Sequence, residues 1–442
     1  MKKPNRRIFL RQALGVSATG VLGSLTGLPI GLADENRGGG GPTVDPAGSE
    51  KELLDRARRI HQSALTIDSH VDIFGTFYAT DRLDPGVNNP HLRCDLVKMA
   101  TGGVDGVFLA VYTGQGPRDA EGYRKVHARA LELLEAIHRV PRLYSDRCAL
   151  AASPDDVERI AQSGRRAIMI GVENGYPIGT DLANVEKFYY LGVRYITLSH
   201  NGHNQICDSC FPRGKLGDEA SEHNGLSSFG RQVVAEMNRL GIIIDVSHIA
   251  SKSLRDVLAV SHAPVIASHS GCKAVCDHPR NLSDEELRAL ASGGGVIQVV
   301  TVPEFLSREA GQRQKAIEEL AERLNMPGRA SKPDLARATV EQRRQWQDGW
   351  ESIARQYRAA TIEDYVDHID HAVKVVGVDH VGIGSDFDGG GGVPGFENHA
   401  DSLNVTVALL RRGYSEEAIR KIWGGNLMRV WREVERASRS GA

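Results

Sequence analysis

Short β-branched and apolar runs alternate along the chain with longer segments whose apolar positions fall three and four apart. Eight runs stand out: Ala64 to Asp72, Val104 to Tyr112, Ala167 to Glu173, Tyr195 to His200, Ile242 to His248, Val265 to His269, Gly295 to Val302 and His380 to Phe387. Runs of this length read as strands buried on both faces, the kind that parallel sheets use. Between them, Tyr123 to Ile137, Val185 to Tyr190, Gly230 to Leu240, Asp284 to Ala291 and Ile362 to Val376 carry helical spacing. Parallel strands need crossovers, and helices supply them. The alternation predicts an α/β chain folded as a (β/α)8 TIM-like barrel, one domain over residues 51–442.

One stretch exceeds what a barrel needs. Pro303 to Thr361, after the seventh run, is charged, helical in pattern and broken at Pro327 and Pro333. Two readings of this insertion stay open: a lid over the C-terminal face, or a solvated helical ornament outside.

The amino-terminal region breaks the pattern. Asn5-Arg6-Arg7-Ile8-Phe9-Leu10-Arg11 precedes a weakly apolar stretch from Ala13 to Leu32, and together they resemble a twin-arginine export signal ending near Ala33. Residues 34–50 are rich in Gly, Pro and Asp without periodicity and read as a flexible linker. The mature chain is expected to be soluble and exported, periplasmic in a cell with that compartment. No later apolar run is long enough to span a bilayer.

Composition changes this picture little. A formal net charge of −2 over 442 residues offers no broad basic surface, so nucleic acid is not an expected partner and a small molecule is. The six cysteines permit disulfides in an oxidising compartment, but spacing does not give a pairing. Cys207-x-x-Cys210 has no second such pair beside it, which favours a loop disulfide or free thiols over a zinc knuckle.

The chemistry lies at the ends of the runs. The stretch from Gly241 to Asn281 shows it best: two strands joined by a helical segment, ending at His248 and His269, then followed by His278-Pro279-Arg280-Asn281. The first run ends Asp68-Ser69-His70-Val71-Asp72, and residues two apart in a strand share a face, so His70 and Asp72 can hold one metal ion. Glu173, His200 and Asp386 stand at or just past the ends of other runs. A barrel closes such ends into one mouth. His127, His138, His368, His371 and His380 fall in helices or at a strand's start and read as packing or surface residues.

Several motifs together carry a resemblance. Asp-Ser-His-Val-Asp at 68–72, Gly-Val-Glu at 171–173, Leu-Ser-His-Asn at 198–201, Asp-Val-Ser-His at 245–248, Ser-His-Ser at 268–270, His-Pro-Arg-Asn at 278–281 and Gly-Ser-Asp-Phe-Asp-Gly at 384–389 resemble the membrane (renal) dipeptidase family, peptidase family M19. The resemblance runs from about Ala64 to Val434. It implies a zinc-dependent dipeptidase with two zinc ions: His70 and Asp72 on one, His248 and His269 on the other, Glu173 bridging. It further implies that His200 and Arg280 bind substrate, that Asp386 handles the proton, and that the chain is a homodimer.

These roles are chemically coherent. Imidazole and carboxylate suit Zn²⁺, a carboxylate has two oxygens with which to bridge, and a bridging water would become hydroxide near neutral pH and attack the scissile carbonyl. His200 would steady the developing oxyanion. Arg280 offers a planar fork to a free C-terminal carboxylate. Two departures bear on specificity: Val300-Thr301-Val302 stands where the family commonly has Asn and an aromatic, and Asn174 and Tyr176 stand where it often has a Gly pair. Other readings are an amidase or lactonase on another small carbonyl substrate, and a periplasmic binding protein that has lost catalysis.

Overall fold

In the computed structural model, which describes residues 46–330 and 332–440, each of the eight apolar runs forms a parallel strand. In chain order the strands are β1 (Ile67–Asp72), β2 (Gly106–Tyr112), β3 (Cys148–Leu150), β4 (Arg166–Glu173), β5 (Val193–Thr197), β6 (Ile243–Asp245), β7 (Ile266–Ser270), β8 (Val296–Val299), β9 (Gly328–Arg329), β10 (Lys332–Pro333) and β11 (Val381–Ile383). The main sheet runs β1-β2-β4-β5-β6-β7-β8-β11. Its two edges meet through a Val71–Phe387 bridge, where Asp72 N–H donates to the Phe387 carbonyl at 2.9 Å and Asp386 N–H to that of His70 at 3.0 Å. The result is the expected barrel, nearly closed, with helices between its strands.

Several boundaries differ from expectation for local reasons. β3 was not anticipated: Cys-Ala-Leu is too short to show a period, and it pairs only with the lower end of β4. β6 stops at Asp245 although its apolar run continues to His248, because His248 has φ 69° and cannot extend a strand. His380 closes a 3₁₀ turn just before β11, its Nδ1 2.7 Å from the Gly295 carbonyl. The first helix begins at Pro46, inside the stretch read as linker. The export segment at 1–33 and residues 34–45 lie outside the described residues.

The barrel interior is a cluster drawn from alternate positions of seven strands: Ile67, Phe108, Met169, Tyr195, Ile243, Ile266 and Val296, joined by Trp431 of the C-terminal helix. Rings run upward through it. Trp431 and Phe108 have centroids 5.5 Å apart, Phe108 and Tyr195 5.0 Å, and Tyr195 and His70 6.3 Å. Gly171 makes room for this column, since a Cβ there would lie 2.1 Å from the Tyr195 ring. Gly171→Ala is therefore expected to cost roughly 1–3 kcal/mol of stability. Chemical denaturation measures it, and a variant as stable as its parent would show that Tyr195 has space to spare.

The insertion after β8 is anchored at its start and solvated farther on. Its first turn, Pro303–Leu306, is tied down: Asn281 Nδ2 donates to the Phe305 carbonyl at 2.7 Å and His368 Nε2 lies 3.0 Å from that of Leu306. The outer helix, Val340–Gln356, buries no residue. Among the described residues no helix is long and apolar enough to cross a membrane, and all six cysteines are free thiols.

Candidate metal centre

Five expected ligands and the three expected catalytic or substrate-binding residues come together at the C-terminal mouth of the barrel. β1 delivers His70 and Asp72, β4 delivers Glu173, and β7 carries His269. His200 and His248 follow β5 and β6, and Asp386 follows β11. Glu173 sits at the centre. Its Oε2 lies 3.6 Å from His70 Nε2, and its Oε1 lies 3.1 Å from His248 Nε2, 3.3 Å from His269 Nε2 and 3.6 Å from His200 Nε2. Asp72 Oδ1 and Asp386 Oδ1 stand 3.7 and 4.0 Å from His70 Nε2. The two oxygens of one carboxylate thus face two sets of ligand atoms.

These distances fit metal ions. Ligand atoms about 2.0–2.1 Å from one tetrahedral Zn²⁺ are separated by about 3.3 Å. His70 Nε2 and Asp72 Oδ1 are buried and have no hydrogen-bond partner, although buried polar atoms almost always find one. His248 Nε2 and His269 Nε2 approach to 2.9 Å. Two groupings could each hold an ion: His70 with Glu173 and His269, and Glu173 with His200 and His248. Either way Glu173 is shared.

The imidazoles are fixed from behind, as metal-binding histidines require. His70 Nδ1 meets the Tyr195 hydroxyl at 2.8 Å, His269 Nδ1 the Ser268 hydroxyl at 2.8 Å, and His248 Nδ1 the Asn201 amide oxygen at 3.2 Å. Ser268 in turn donates to buried Asp245, whose carboxylate also accepts Ser247 N–H at 3.0 Å and Ser268 N–H at 2.8 Å. Asp68 does the same between β1 and β11, accepting Ser385 N–H at 2.9 Å and facing His399 Nε2 at 2.8 Å. Asp68 and Asp245 lay inside quoted motifs without a role. Tyr195, in an apolar strand, and His399, far from any motif, gave no signal.

Electrostatics sort the carboxyls. Burial would raise Glu173, but His70, His200 and the other imidazoles outweigh it and hold its carboxyl well below the usual range. Burial pushes Asp386 up to about 8, opposed by His70 and assisted by Glu173. For His70, burial acts downward, yet Glu173, Asp386 and Asp72 carry the imidazole up to about 10. Burial, with Arg280 and neighbouring imidazoles adding to it, keeps His248 and His269 well below the ordinary histidine value.

Arg280 flanks this centre. It is 3% exposed, donates from Nη2 to the His269 carbonyl at 2.9 Å, and has a buried Nε without a partner. Phe305 lies 5.5 Å from the guanidinium and stacks on His278 at 4.4 Å, so the insertion's first turn forms a wall beside Arg280. The departures from the family pattern are structural here. Thr301 Oγ1 donates to the Ser385 carbonyl at 2.5 Å and its own carbonyl accepts Gly392 N–H, bracing the Asp386 loop. Asn174 has φ 80°, a left-handed conformation that Asn tolerates and Gly favours.

The remaining histidines are packing residues or bond to backbone and neighbours. His368 is fully buried and accepts Cys272 N–H at 2.9 Å; His127 and His138 bond to the Pro177 and Leu191 carbonyls; His371 pairs with Asp284 at 2.7 Å.

Known proteins place this geometry. The sequence profile of the membrane dipeptidase family (peptidase family M19) matches residues 54–442. Dipeptidase verJ of Clonostachys rogersoniana is 32% identical over 410 residues, which is 90% of this chain and 91% of that protein. Dipeptidase tcpJ of Claviceps purpurea is 33% identical over 364 residues, 81% of this chain and 73% of that one. The crystal structure of the probable dipeptidase PvdM from Pseudomonas aeruginosa superposes with a TM-score of 0.76 at 32% identity, covering 88% of this chain and 99% of that chain. Sequence, ligand geometry and barrel agree, and the chain belongs to the membrane dipeptidase family, peptidase family M19.

Proposed function

We propose that this M19 metallo-dipeptidase uses two zinc ions to cleave dipeptides carrying a free C-terminal carboxylate. The observation that carries the reading is the pair of unpartnered buried atoms, His70 Nε2 and Asp72 Oδ1, on one side of Glu173, with His248 and His269 on the other. His70, Asp72 and Glu173 would hold one ion, and His248 and His269, with Glu173 shared, would hold the second. When bound, such ions polarise a carbonyl and acidify water. His200 is close enough to serve as a ligand, but its side chain is 16% exposed and packs against Tyr112 at 4.8 Å, which suits a contact with substrate. There its Nε2 steadies the carbonyl oxygen as charge develops. Asp386, also at the mouth, would take the proton given up by the attacking water and pass it to the departing amine.

Arg280 sets the substrate's length. A buried guanidinium with an unused N–H, walled by Phe305, offers a planar fork to a free carboxylate, which would confine the enzyme to short substrates with an exposed C-terminus. Purified protein should carry about two metal equivalents and cleave a dipeptide far faster than its C-terminally amidated form. Equal rates on the two would remove the clamp and return the amidase or lactonase reading. Export by the twin-arginine route belongs to the same proposal and is supported by Asn5 to Arg11. Replacing Arg6 and Arg7 together by lysine should leave the chain on the cytoplasmic side, and unchanged export would refute that route.

A further inference from the structure

A buried histidine outside every motif reaches the site through one carboxylate. His399, 1% exposed, lies in a short 3₁₀ turn well beyond β11, with its ring edge-on to Phe387 at 5.1 Å. Its backbone is pinned on both sides: the N–H donates to the Arg93 carbonyl at 3.0 Å and the carbonyl accepts the Ser402 hydroxyl at 2.8 Å. Its Nε2 faces Asp68 Oδ2 at 2.8 Å, while its buried Nδ1 has no partner. An unpaired lone pair costs less than an unpaired N–H here, because only Nε2 has an acceptor in front of it; the proton belongs on Nε2.

Asp68 passes this contact on. Its Oδ1 accepts His70 N–H at 3.2 Å and Ser385 N–H at 2.9 Å, and its Oδ2 takes the Ser385 hydroxyl as well as His399. One carboxylate therefore fastens the backbone of an expected metal ligand to the residue just before Asp386. Asp386 needs such fastening. It has φ 58°, a left-handed conformation that a non-glycine residue keeps only when its surroundings over-determine it.

We infer that His399 is a positioning residue: by holding Asp68 through Nε2 it fixes Ser385, and so sets the place of the Asp386 carboxyl relative to His70. His399 is buried, 1% exposed, and reaches the site through Asp68. Its effect should fall on the chemical step and on metal retention, and not on recognition at Arg280, which lies on a different segment.

The inference rests on the proposed function, and the test separates the two. His399→Leu removes the donor at similar volume, whereas His399→Gln offers an amide N–H in its place. In His399→Leu, kcat on a dipeptide should fall about 10–100-fold with KM unchanged within about twofold, and chelator competition on the purified protein should show metal held about 10–100-fold more weakly. His399→Gln should recover most of both losses. Thermal unfolding of all three proteins monitors folding. A Leu variant that unfolds at lower temperature yet keeps parental kcat and metal affinity would overturn the inference, as would a Gln variant no better than Leu. A parent protein inert on every dipeptide would sink the proposed function alone, since the metal-affinity comparison still decides the role of His399.

Discussion

Asp386→Asn is expected to lower kcat by about 10²–10⁴-fold, the usual worth of a positioned proton carrier, while the purified variant keeps its metal. The substitution is nearly free of structural cost. Asp386 is left-handed at φ 58°, and Asn is among the few residues that accept that conformation. The backbone that holds it is untouched: its N–H donates to His70, and its carbonyl accepts the N–H groups of Gly389, Gly390 and Gly391 at 3.2, 3.0 and 2.7 Å. Gly389 shows how closely the loop wraps, because a Cβ there would lie 2.1 Å from Asp386 Oδ1 and 2.8 Å from Asp72 Oδ2. What Asn cannot do is take up and release a proton, which a carboxyl in this place can. Metal analysis beside steady-state kinetics decides the outcome. Full turnover in the variant would move the proton elsewhere, and loss of metal would make Asp386 a ligand.

Most of the candidate site was legible in the sequence because the barrel turns position into proximity. Each strand end contributes one or two polar residues after an apolar run, and parallel closure brings His70, His248 and His269 to 3.6, 3.1 and 3.3 Å from the Glu173 carboxylate although they span some two hundred positions. The pairing of His70 with Asp72 follows from strand period alone. What the sequence did not show has two physical sources. Strand ends depend on backbone torsion, and the left-handed turn at His248 shortens β6 without any Gly to announce it. Supporting residues depend on long-range contact: Tyr195 reads as an ordinary strand residue until Gly171 on the neighbouring strand leaves it space, and His399 meets Asp68 across 331 positions of chain. The insertion was ambiguous for a similar reason. Its helical pattern is the same whether it covers the site or stands outside, and contacts distant in sequence, the Asn281 and His368 bonds and the Phe305 ring beside Arg280, fix its first turn.

If Glu173 bridges two ions as proposed, Glu173→Gln should remove both at once, and with them at least about 10⁴-fold of activity, the largest single effect expected in this chain. The residue is 3% exposed at the end of β4, where Oε2 faces His70 and Oε1 faces His248, His269 and His200. In the parent, both oxygens are anionic acceptors and can each complete a ligand set. A carboxamide keeps one neutral oxygen and turns an NH₂ toward the other set, where it donates to an imidazole nitrogen and blocks the position. Volume is unchanged, so packing around β4 is preserved. Thermal unfolding with and without a chelator gives a readout independent of turnover. Ligand held at a thousand times its dissociation constant stabilises a fold by about 4 kcal/mol, so the parent's midpoint should drop on chelation while that of Glu173→Gln stays put. If the variant retains about two equivalents of metal and still responds to chelator, Glu173 is not shared between the ions, and the two halves of the site must be assigned separately.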